Sequence, residues 1–263
     1  MQNYLIKLEY FGVDFYGQQN QMRECWPTIQ SELMKALLKI SPELTTETCK
    51  IQSSSRTDRG VHALCLYSNI MVRKSFEEKR VLQALNFHLP NTIRVTQCTC
   101  TYDKRVDLRT SIKSKEYRYY FYPSTTPHPL FLNHMVHVPY PLDMEKIEKA
   151  LKLFIGTQDF QNFQCAGTIV QSTIRTIYHL SLTKQAQDTF FPFPENTYML
   201  RIVGNGFLKQ MIRLIVGTLW AIGRGKLTID ELEFHLKNPS KKKLGVVAPA
   251  QGLYLYNVEF THI

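Results

Sequence analysis

Residues 55–63 read Ser55-Arg56-Thr57-Asp58-Arg59-Gly60-Val61-His62-Ala63, and they separate a polar stretch from a predicted strand. Gly60 marks a tight turn at this point. Asp58 lies between Arg56 and Arg59, and cationic neighbours favour the ionised form of a carboxylate. An ionised aspartate is a poor general acid at neutral pH, but it can act as a nucleophile or stabilise a charge. The alternative is an Asx turn that carries two surface arginines, and the segment taken alone favours that alternative.

Strands and helices alternate on both sides of this segment. In the N-terminal half, residues 1–105, the pattern predicts a strand at 4–10, a helix opened by Pro27, a strand at 63–73, a helix that follows a Ser75/Glu78 capping box, and a strand around 93–95. The C-terminal half, residues 106–263, predicts strands at 116–122, 174–182, 198–203 and 254–260, helices capped by Asp143 and Thr228, and a buried helix over 207–222. This succession indicates an α+β fold, with antiparallel strands covered by helices.

The composition points to a folded protein with a polyanionic partner. The chain has 263 residues, with 32 Lys+Arg against 22 Asp+Glu, so 32 − 22 = +10. Its 44% hydrophobic residues exclude wholesale disorder. The basic residues are dispersed, which favours a folded surface with one positive face over a basic tail, although solvated charges that only confer solubility are an equal alternative. Neither a spanning segment of ~20 apolar residues nor a secretory leader is apparent, and six scattered cysteines are typical of reduced thiols, so we expect a cytoplasmic protein.

Two further segments carry candidate functional residues. Arg213 falls within the most apolar predicted helix, four residues after Lys209 and therefore on the same helical face. A buried guanidinium requires a partner, either a carboxylate from the other half of the protein or, by snorkelling, solvent. On the strand at 116–122, alternation places Tyr117 and Tyr119 on one side and Arg118 on the other.

These segments together resemble the TruA family of tRNA pseudouridine synthases over essentially the whole chain. The motifs that carry the resemblance are Arg-Thr-Asp-x-Gly-Val-His-Ala at 56–63, the Tyr-x-Tyr strand at 117–119, Asn-x-Phe-x-x-x-Met-Ile-Arg at 205–213 with Ile-Val-Gly-Thr at 215–218, and Ala-Pro-Ala-x-Gly-Leu-Tyr-Leu at 248–255. The resemblance implies two ferredoxin-like α+β halves whose antiparallel sheets join around a central basic cleft. It also implies a homodimer that isomerises uridine to pseudouridine at positions 38–40 of the tRNA anticodon stem-loop, without a cofactor or metal.

The resemblance also implies roles for individual residues. Asp58 matches the catalytic aspartate, Tyr117 the tyrosine that stacks on the target uracil, Arg213 the arginine that pairs with the aspartate, and Arg56 the arginine that helps displace the base. His62 matches a motif histidine, for which a bracing role is expected.

This chain departs from the family pattern at several positions, all of them expected to affect contacts with RNA. Ser55 and Arg59 replace the usual Gly and Ala, Gly17-Gln18-Gln19 replaces Gly-Trp-Gln, Val106-Asp107-Leu108-Arg109 replaces Phe-His-Ala-Arg, and Lys209-Gln210 replaces a His-His pair. Arg59, Arg109 and Lys209 are therefore candidate RNA contacts, and Arg59 is a candidate phosphate contact beside the nucleophile.

Other functions remain open at this point. A non-catalytic tRNA-binding or folding protein on the same fold, or a pseudouridine synthase with a different position range, would share most of these features. A glycosidase or nuclease would require a second carboxylate or a metal site. His134 and His137 are three residues apart, but no third ligand accompanies them, so a structural role is expected.

Overall fold

The first strand illustrates how the alternating pattern produces the fold. In the computed structural model, β1 (Gln2–Tyr10) buries Tyr4, Ile6 and Leu8 completely, as the period-two pattern predicts. Leu5, on the opposite face, is also buried. β1 is an inner strand of its sheet, because it pairs with a neighbouring strand along each of its edges.

The structure describes residues 2–19, 26–45, 48, 50–72, 75–101, 107–108, 110–167, 170–186 and 193–261. The chain divides into two compact units, Met1–Lys113 with Tyr254–Ile263, and Ser114–Leu253. The predicted boundary between residues 105 and 106 lies outside the described residues, so it stays a prediction.

The first unit is a sheet with two helices. Its elements are β1, α1 (Ile29–Ile40), β2 (Gln52–Ser53), β3 (His62–Val72), α2 (Glu78–His88), β4 (Ile93–Cys100) and β10 (Leu253–Phe260). The strand order is β4-β1-β3-β10, and β2 pairs with β3. The pairs β1–β3, β1–β4 and β2–β3 are antiparallel, whereas β10 runs parallel to β3. A parallel pair needs a long connection, and here the whole second unit lies between the two strands.

The second unit is likewise a sheet with helices. Its elements are β5 (Ile112–Pro123), β6 (Val136–Val138), α3 (Met144–Leu151), β7 (Gly156–Asp159), β8 (Ile174–Lys184), β9 (Tyr198–Gly204), α4 (Met211–Gly223) and α5 (Ile229–Lys237). The antiparallel order is β5-β9-β8-β7, and β6 lies parallel to β5. Helix α3 packs against α4 and α5. Both units combine sheets with helices, which confirms the α+β class.

Helix α4 is the most buried helix of the second unit. Of its 13 residues only Arg213 and Ala221 are not buried, as the nearly uniform apolar sequence predicts. The helix begins at Met211, whereas the prediction placed its start at Phe207. The reason is that Gln210 has a φ of 61°, a left-handed conformation from which an α-helix cannot continue.

Two other predicted helix starts are wrong in detail. Helix α1 is capped by Thr28 in a capping box with Ser31, so Pro27 precedes the cap and is not the first helical residue. The predicted Ser75/Glu78 box does not form, because α2 begins at Glu78 itself. The Glu78 carboxylate instead accepts a hydrogen bond from the Cys100 amide, 2.7 Å away. The caps at Asp143 and Thr228 are confirmed.

Within the described ranges, no helix is both long enough and apolar enough to cross a bilayer. The predicted loop at 190–194 begins with three residues outside those ranges, and Phe193 and Pro194, which are described, belong to neither a helix nor a strand.

Candidate active site

Asp58 lies at the start of a tight turn between β2 and β3. The Val61 amide donates to the Asp58 carbonyl at 3.2 Å, and Gly60 has a φ of +79°. A residue with positive φ at the third position is typical of a type II turn, and glycine adopts it without steric cost. Asp58 is half-buried, whereas Arg56 and Arg59 on either side are exposed. We call residues 58–61 the Asp58 turn.

Thr57 fixes the entrance to the Asp58 turn. Its hydroxyl oxygen lies 2.8 Å from the Tyr10 hydroxyl, in a buried hydrogen bond that joins the end of β1 to this loop. Its carbonyl accepts from the Gln18 amide at 3.2 Å. A Cβ at Gly17 would lie 2.7 Å from the same carbonyl, so only glycine permits this approach. The residue before Asp58 is therefore held from two directions.

His62 fixes the exit from the Asp58 turn. The Gly12 amide donates to His62 Nδ1 at 3.1 Å, so this nitrogen carries no proton and the ring accepts through it. The ring is buried and stacks on Tyr254, with centroids 4.4 Å apart. A Cβ at Gly12 would overlap the Val61 carbonyl oxygen, so this contact also requires glycine. These contacts fit the bracing role expected for His62.

The two positions that depart from the family pattern around Asp58 have distinct environments. The Ser55 hydroxyl is buried, and it has no hydrogen-bond partner among the described residues. The Arg59 guanidinium lies over the Tyr16 ring, with Cζ 4.0 Å from the ring centroid, which is cation–π geometry.

In the second unit, Tyr117 lies on β5 opposite Ile202 of β9. It is buried, and the Phe207 ring meets it edge-on with centroids 5.4 Å apart. This contact fixes the plane of the phenol ring.

The neighbouring position on β5 carries an ion-pair cluster. Glu116 accepts hydrogen bonds from Arg118 at 2.9 Å and from Arg201 at 2.8 Å. Burial alone would raise the pKa of Glu116, but the two guanidinium donors outweigh it and lower that pKa below its ordinary value. The carboxylate therefore stays ionised and holds both arginines against the sheet.

Arg213, the third residue of α4, is held by the chain segment 245–252. Its Nε donates to the Ala248 carbonyl at 2.6 Å, and its own carbonyl accepts from the Ala248 amide at 3.1 Å. The approach is close, because a Cβ at Gly217 would overlap the Val246 carbonyl and one at Gly245 would overlap the α4 backbone. The close approach of residues 245–246 to α4 thus brings Ala248, the first residue of the 248–255 motif, to the guanidinium of Arg213.

Tyr119 secures the same segment from β5. Its hydroxyl donates to the Pro249 carbonyl at 2.8 Å. Burial raises the pKa of Tyr119 well above its ordinary value, and the charge of Arg213 opposes this rise only in part. The phenol therefore keeps its proton and remains a donor to the residue next to Ala248.

The remaining candidate residues divide between the two units. Lys209 is exposed and precedes α4, so the expectation that it shares a helical face with Arg213 is wrong; the left-handed Gln210 separates them.

Arg109 lies outside the described residues. Asp58, Arg56 and Arg59 belong to the first unit, and Tyr117, Arg213 and Lys209 to the second.

The described residues contain no cluster of three or more His, Cys, Asp or Glu side chains arranged to hold a metal ion. His137 Nε2 lies 2.7 Å from the Ser124 carbonyl, a contact that ties together the two ends of a loop.

Sequence reasoning missed the residues that hold the candidates in place. It did not identify Tyr10 as the partner of Thr57, nor the Ala248 carbonyl as the acceptor for Arg213. These pairs are separated by 47 and 35 positions. The available signals were the glycines at 12, 17, 217 and 245, which mark close backbone approaches without naming the partner.

Comparison with known proteins finds relatives along nearly the whole chain. A family profile described as tRNA pseudouridine synthase matches residues 150–261. Proteins named tRNA pseudouridine synthase A from Thermoanaerobacter sp. (strain X514) and Acetivibrio thermocellus are 37% and 34% identical over 258 and 260 residues, which cover 98% and 99% of this chain and 99% and 100% of theirs. A tRNA pseudouridine synthase A 1 from Bacillus cereus (strain ZK / E33L) is 37% identical over 256 residues, 96% of each chain.

Among solved structures, a chain from the crystal structure of a Cbf5-Nop10-Gar1 complex matches 82% of this chain and 45% of its own length. The TM-score is 0.35 and the identity 12%, too low for any conclusion. The sequence relatives are sufficient by themselves: the chain belongs to the TruA family of tRNA pseudouridine synthases, isomerases that act on tRNA.

Proposed function

We propose that this protein converts uridine to pseudouridine at positions 38–40 of the tRNA anticodon stem-loop, with Asp58 as the catalytic nucleophile. The observation that carries the proposal is the anchoring of the Asp58 turn. Its entrance is tied to Tyr10, its exit is braced by His62, and its carboxylate stays partly exposed between two exposed arginines. A surface Asx turn does not require two buried attachments of this kind.

The reaction needs neither redox chemistry nor an energy source. The N1–C1′ bond breaks, the base rotates, and a C5–C1′ bond forms; C5 loses a proton and N1 gains one, so atoms and electrons balance. In this proposal Asp58 attacks C1′ of the ribose or C6 of the ring, or abstracts a sugar proton. Each of these roles requires the ionised carboxylate.

The roles of the other candidates follow from their chemistry. The target base has to leave its stack, which costs a few kcal/mol that tRNA binding supplies. Stacking on Tyr117 recovers roughly 1–3 kcal/mol of this cost, and Tyr117 is also the candidate for removing the C5 proton. In this proposal Arg213, which is oriented through Ala248, pairs with the Asp58 carboxylate and directs it toward the target nucleoside, and Arg56 helps to displace the base.

The wider setting is also part of the proposal. A basic surface receives the tRNA, and the enzyme acts as a homodimer in the cytoplasm, where tRNA is processed. Arg59, Arg109 and Lys209 contact the RNA, and the net charge of +10 supports binding to a polyanion.

The test is to incubate the pure protein with unmodified tRNA transcripts and to map pseudouridine at single-nucleotide resolution. Three transcripts, each with uridine at only one of positions 38, 39 and 40, define the position range, and EDTA is present throughout. We expect pseudouridine at these positions. Modification elsewhere would replace the position range with another, and tight binding without any modification would favour a non-catalytic tRNA-binding protein.

A further inference from the structure

An exposed stack of planar side chains lies directly beside the Asp58 turn. The Trp26 and Tyr16 rings are nearly parallel, with centroids 4.9 Å apart and an interplanar angle of 15°. The Arg59 guanidinium lies over the same Tyr16 ring, 4.0 Å from its centroid. Arg59 immediately follows Asp58 in the chain, so the two Cα atoms are ~3.8 Å apart. We call Trp26, Tyr16 and Arg59 the aromatic stack.

Trp26 differs from the other tryptophan of the chain in its exposure to solvent. Its side chain is 58% exposed, whereas the other tryptophan, Trp220, is 4% exposed and packs on Tyr119 and Phe121. A large apolar ring kept in water beside a cation is a typical base-stacking surface, because every nucleobase offers a π face and the guanidinium attracts the adjoining phosphate.

The aromatic stack is also held in place by the backbone. The Tyr16 amide donates to the Pro27 carbonyl at 2.9 Å, and the Ile29 amide donates to the Gly17 carbonyl at 3.2 Å. The Gly60 amide donates to the Phe15 carbonyl at 3.3 Å, which ties the same segment to the Asp58 turn. A stacking surface fixed in this way loses little conformational freedom when a base binds.

We infer that Trp26, Tyr16 and Arg59 form a stacking platform for an unpaired nucleobase of the substrate tRNA, close to the target uridine. Trp26 supplies the exposed ring face, Tyr16 supports it from beneath, and Arg59 both stacks on Tyr16 and contacts a phosphate. This inference rests on the proposed function, since it takes tRNA as the ligand, and it assigns a binding role to Trp26 and Tyr16 that the catalytic proposal does not need.

Tryptophan fluorescence tests the inference without relying on activity. The chain has two tryptophans, and Trp220 is buried, so a base that stacks on the protein surface can quench only Trp26. The probe is an unmodified tRNA transcript with uridine at position 39, titrated into the Asp58→Ala variant so that no turnover occurs. We expect quenching in this variant and its loss when Trp26→Phe is added.

Affinity gives the second readout. Trp26→Ala should weaken binding of the same transcript by about 5- to 150-fold, which corresponds to one lost base stack. Trp26→Phe, which keeps an aromatic face, should restore most of it. The matched control is Phe87→Ala on α2, which removes an aromatic ring that is 83% exposed and should leave binding unchanged. Thermal melts of the free variants verify that each remains folded.

Each outcome decides one of the two proposals. Unquenched Trp26 fluorescence, or equal affinities for the Trp26→Ala and Phe87→Ala variants, overturns the stacking platform even if the enzyme modifies tRNA normally. An active Asp58→Ala variant overturns the catalytic assignment even if Trp26 is quenched as expected.

Discussion

Removing the Tyr10 hydroxyl with Tyr10→Phe should impair catalysis without impairing tRNA binding. This hydroxyl forms the buried 2.8 Å hydrogen bond to Thr57, the residue that precedes Asp58. The substitution keeps the ring, so packing is preserved while the Thr57 hydroxyl loses this partner. A hydrogen bond of this kind contributes ~1 kcal/mol of stability, and leaving a buried partner unsatisfied raises the cost to about 1–2 kcal/mol.

If the same bond holds the Asp58 turn in its reactive position, its removal raises the free energy of the transition state relative to the bound tRNA. A loss of about 1–2 kcal/mol corresponds to a fall in the single-turnover rate of about 5- to 30-fold. The tRNA dissociation constant should stay within about twofold, because the hydroxyl is buried and does not face the ligand. The assay is single-turnover pseudouridine formation at saturating enzyme, with the dissociation constant measured by filter binding.

The matched control is Tyr4→Phe on the same strand. The Tyr4 hydroxyl also makes partly buried hydrogen bonds, donating to the Phe76 carbonyl at 2.7 Å and accepting from the Phe76 amide at 2.9 Å, but these bonds do not involve the Asp58 turn. Tyr4→Phe should cost similar stability and leave the rate unchanged. Equal rates for the two variants would refute the argument that Tyr10 positions Asp58.

The remaining predictions concern other parts of the same framework. Arg213→Lys removes the Nε donor to the Ala248 carbonyl. Since hydrogen bonds to charged groups contribute about 1.5–3 kcal/mol, the single-turnover rate should fall about 10- to 150-fold. An unchanged rate would show that a positive charge at position 213 is sufficient. Gly12→Ala forces a Cβ against the Val61 carbonyl and should lower the free energy of unfolding by about 1–3 kcal/mol in urea titrations. An unchanged free energy of unfolding would mean that the loop around Gly12 shifts to accept the Cβ without cost. Glu116→Gln should destabilise the fold by about 1–2 kcal/mol at pH 7. The folded-state pKa of Glu116 lies below its ordinary value of 4.5. The difference in the free energy of unfolding between wild type and Glu116→Gln should therefore shrink as the pH falls from about 4.5 through that lower pKa. A difference that stayed constant with pH would contradict the argument that the charge of Glu116 stabilises the fold.

Patterns of short range predicted the framework well. The alternation in β1 and the caps at Asp143 and Thr228 depend on residues a few positions apart, and each was confirmed. The predicted α2 cap does not form, because the helix begins at Glu78, and the Glu78 carboxylate accepts instead from the Cys100 amide, 22 positions away. A tertiary contact of this kind lies beyond the reach of local sequence patterns.

The candidate site was predictable as a set of residues but not as a geometry. The motif around Asp58 and the resemblance to one family identified the chemistry. The attachments of Asp58 and Arg213 run through Tyr10 and Ala248, which lie far away in sequence and carry no local signal. The left-handed Gln210, on which the start of α4 depends, is likewise imposed by the fold, since glutamine has no intrinsic preference for positive φ.

The role of Asp58 is tested most directly by single-turnover pseudouridine formation in Asp58→Ala, compared with Asp14→Ala. Asp14 is an exposed carboxylate on the loop that packs against the Asp58 turn, so it controls for the loss of a nearby negative charge. We predict that Asp58→Ala lowers the rate by at least about a thousandfold while tRNA affinity stays within about threefold, and that Asp14→Ala leaves the rate unchanged. An Asp58→Ala variant that retained more than about a tenth of the wild-type rate would contradict the account, because the anchored turn would then present a residue that the reaction does not need.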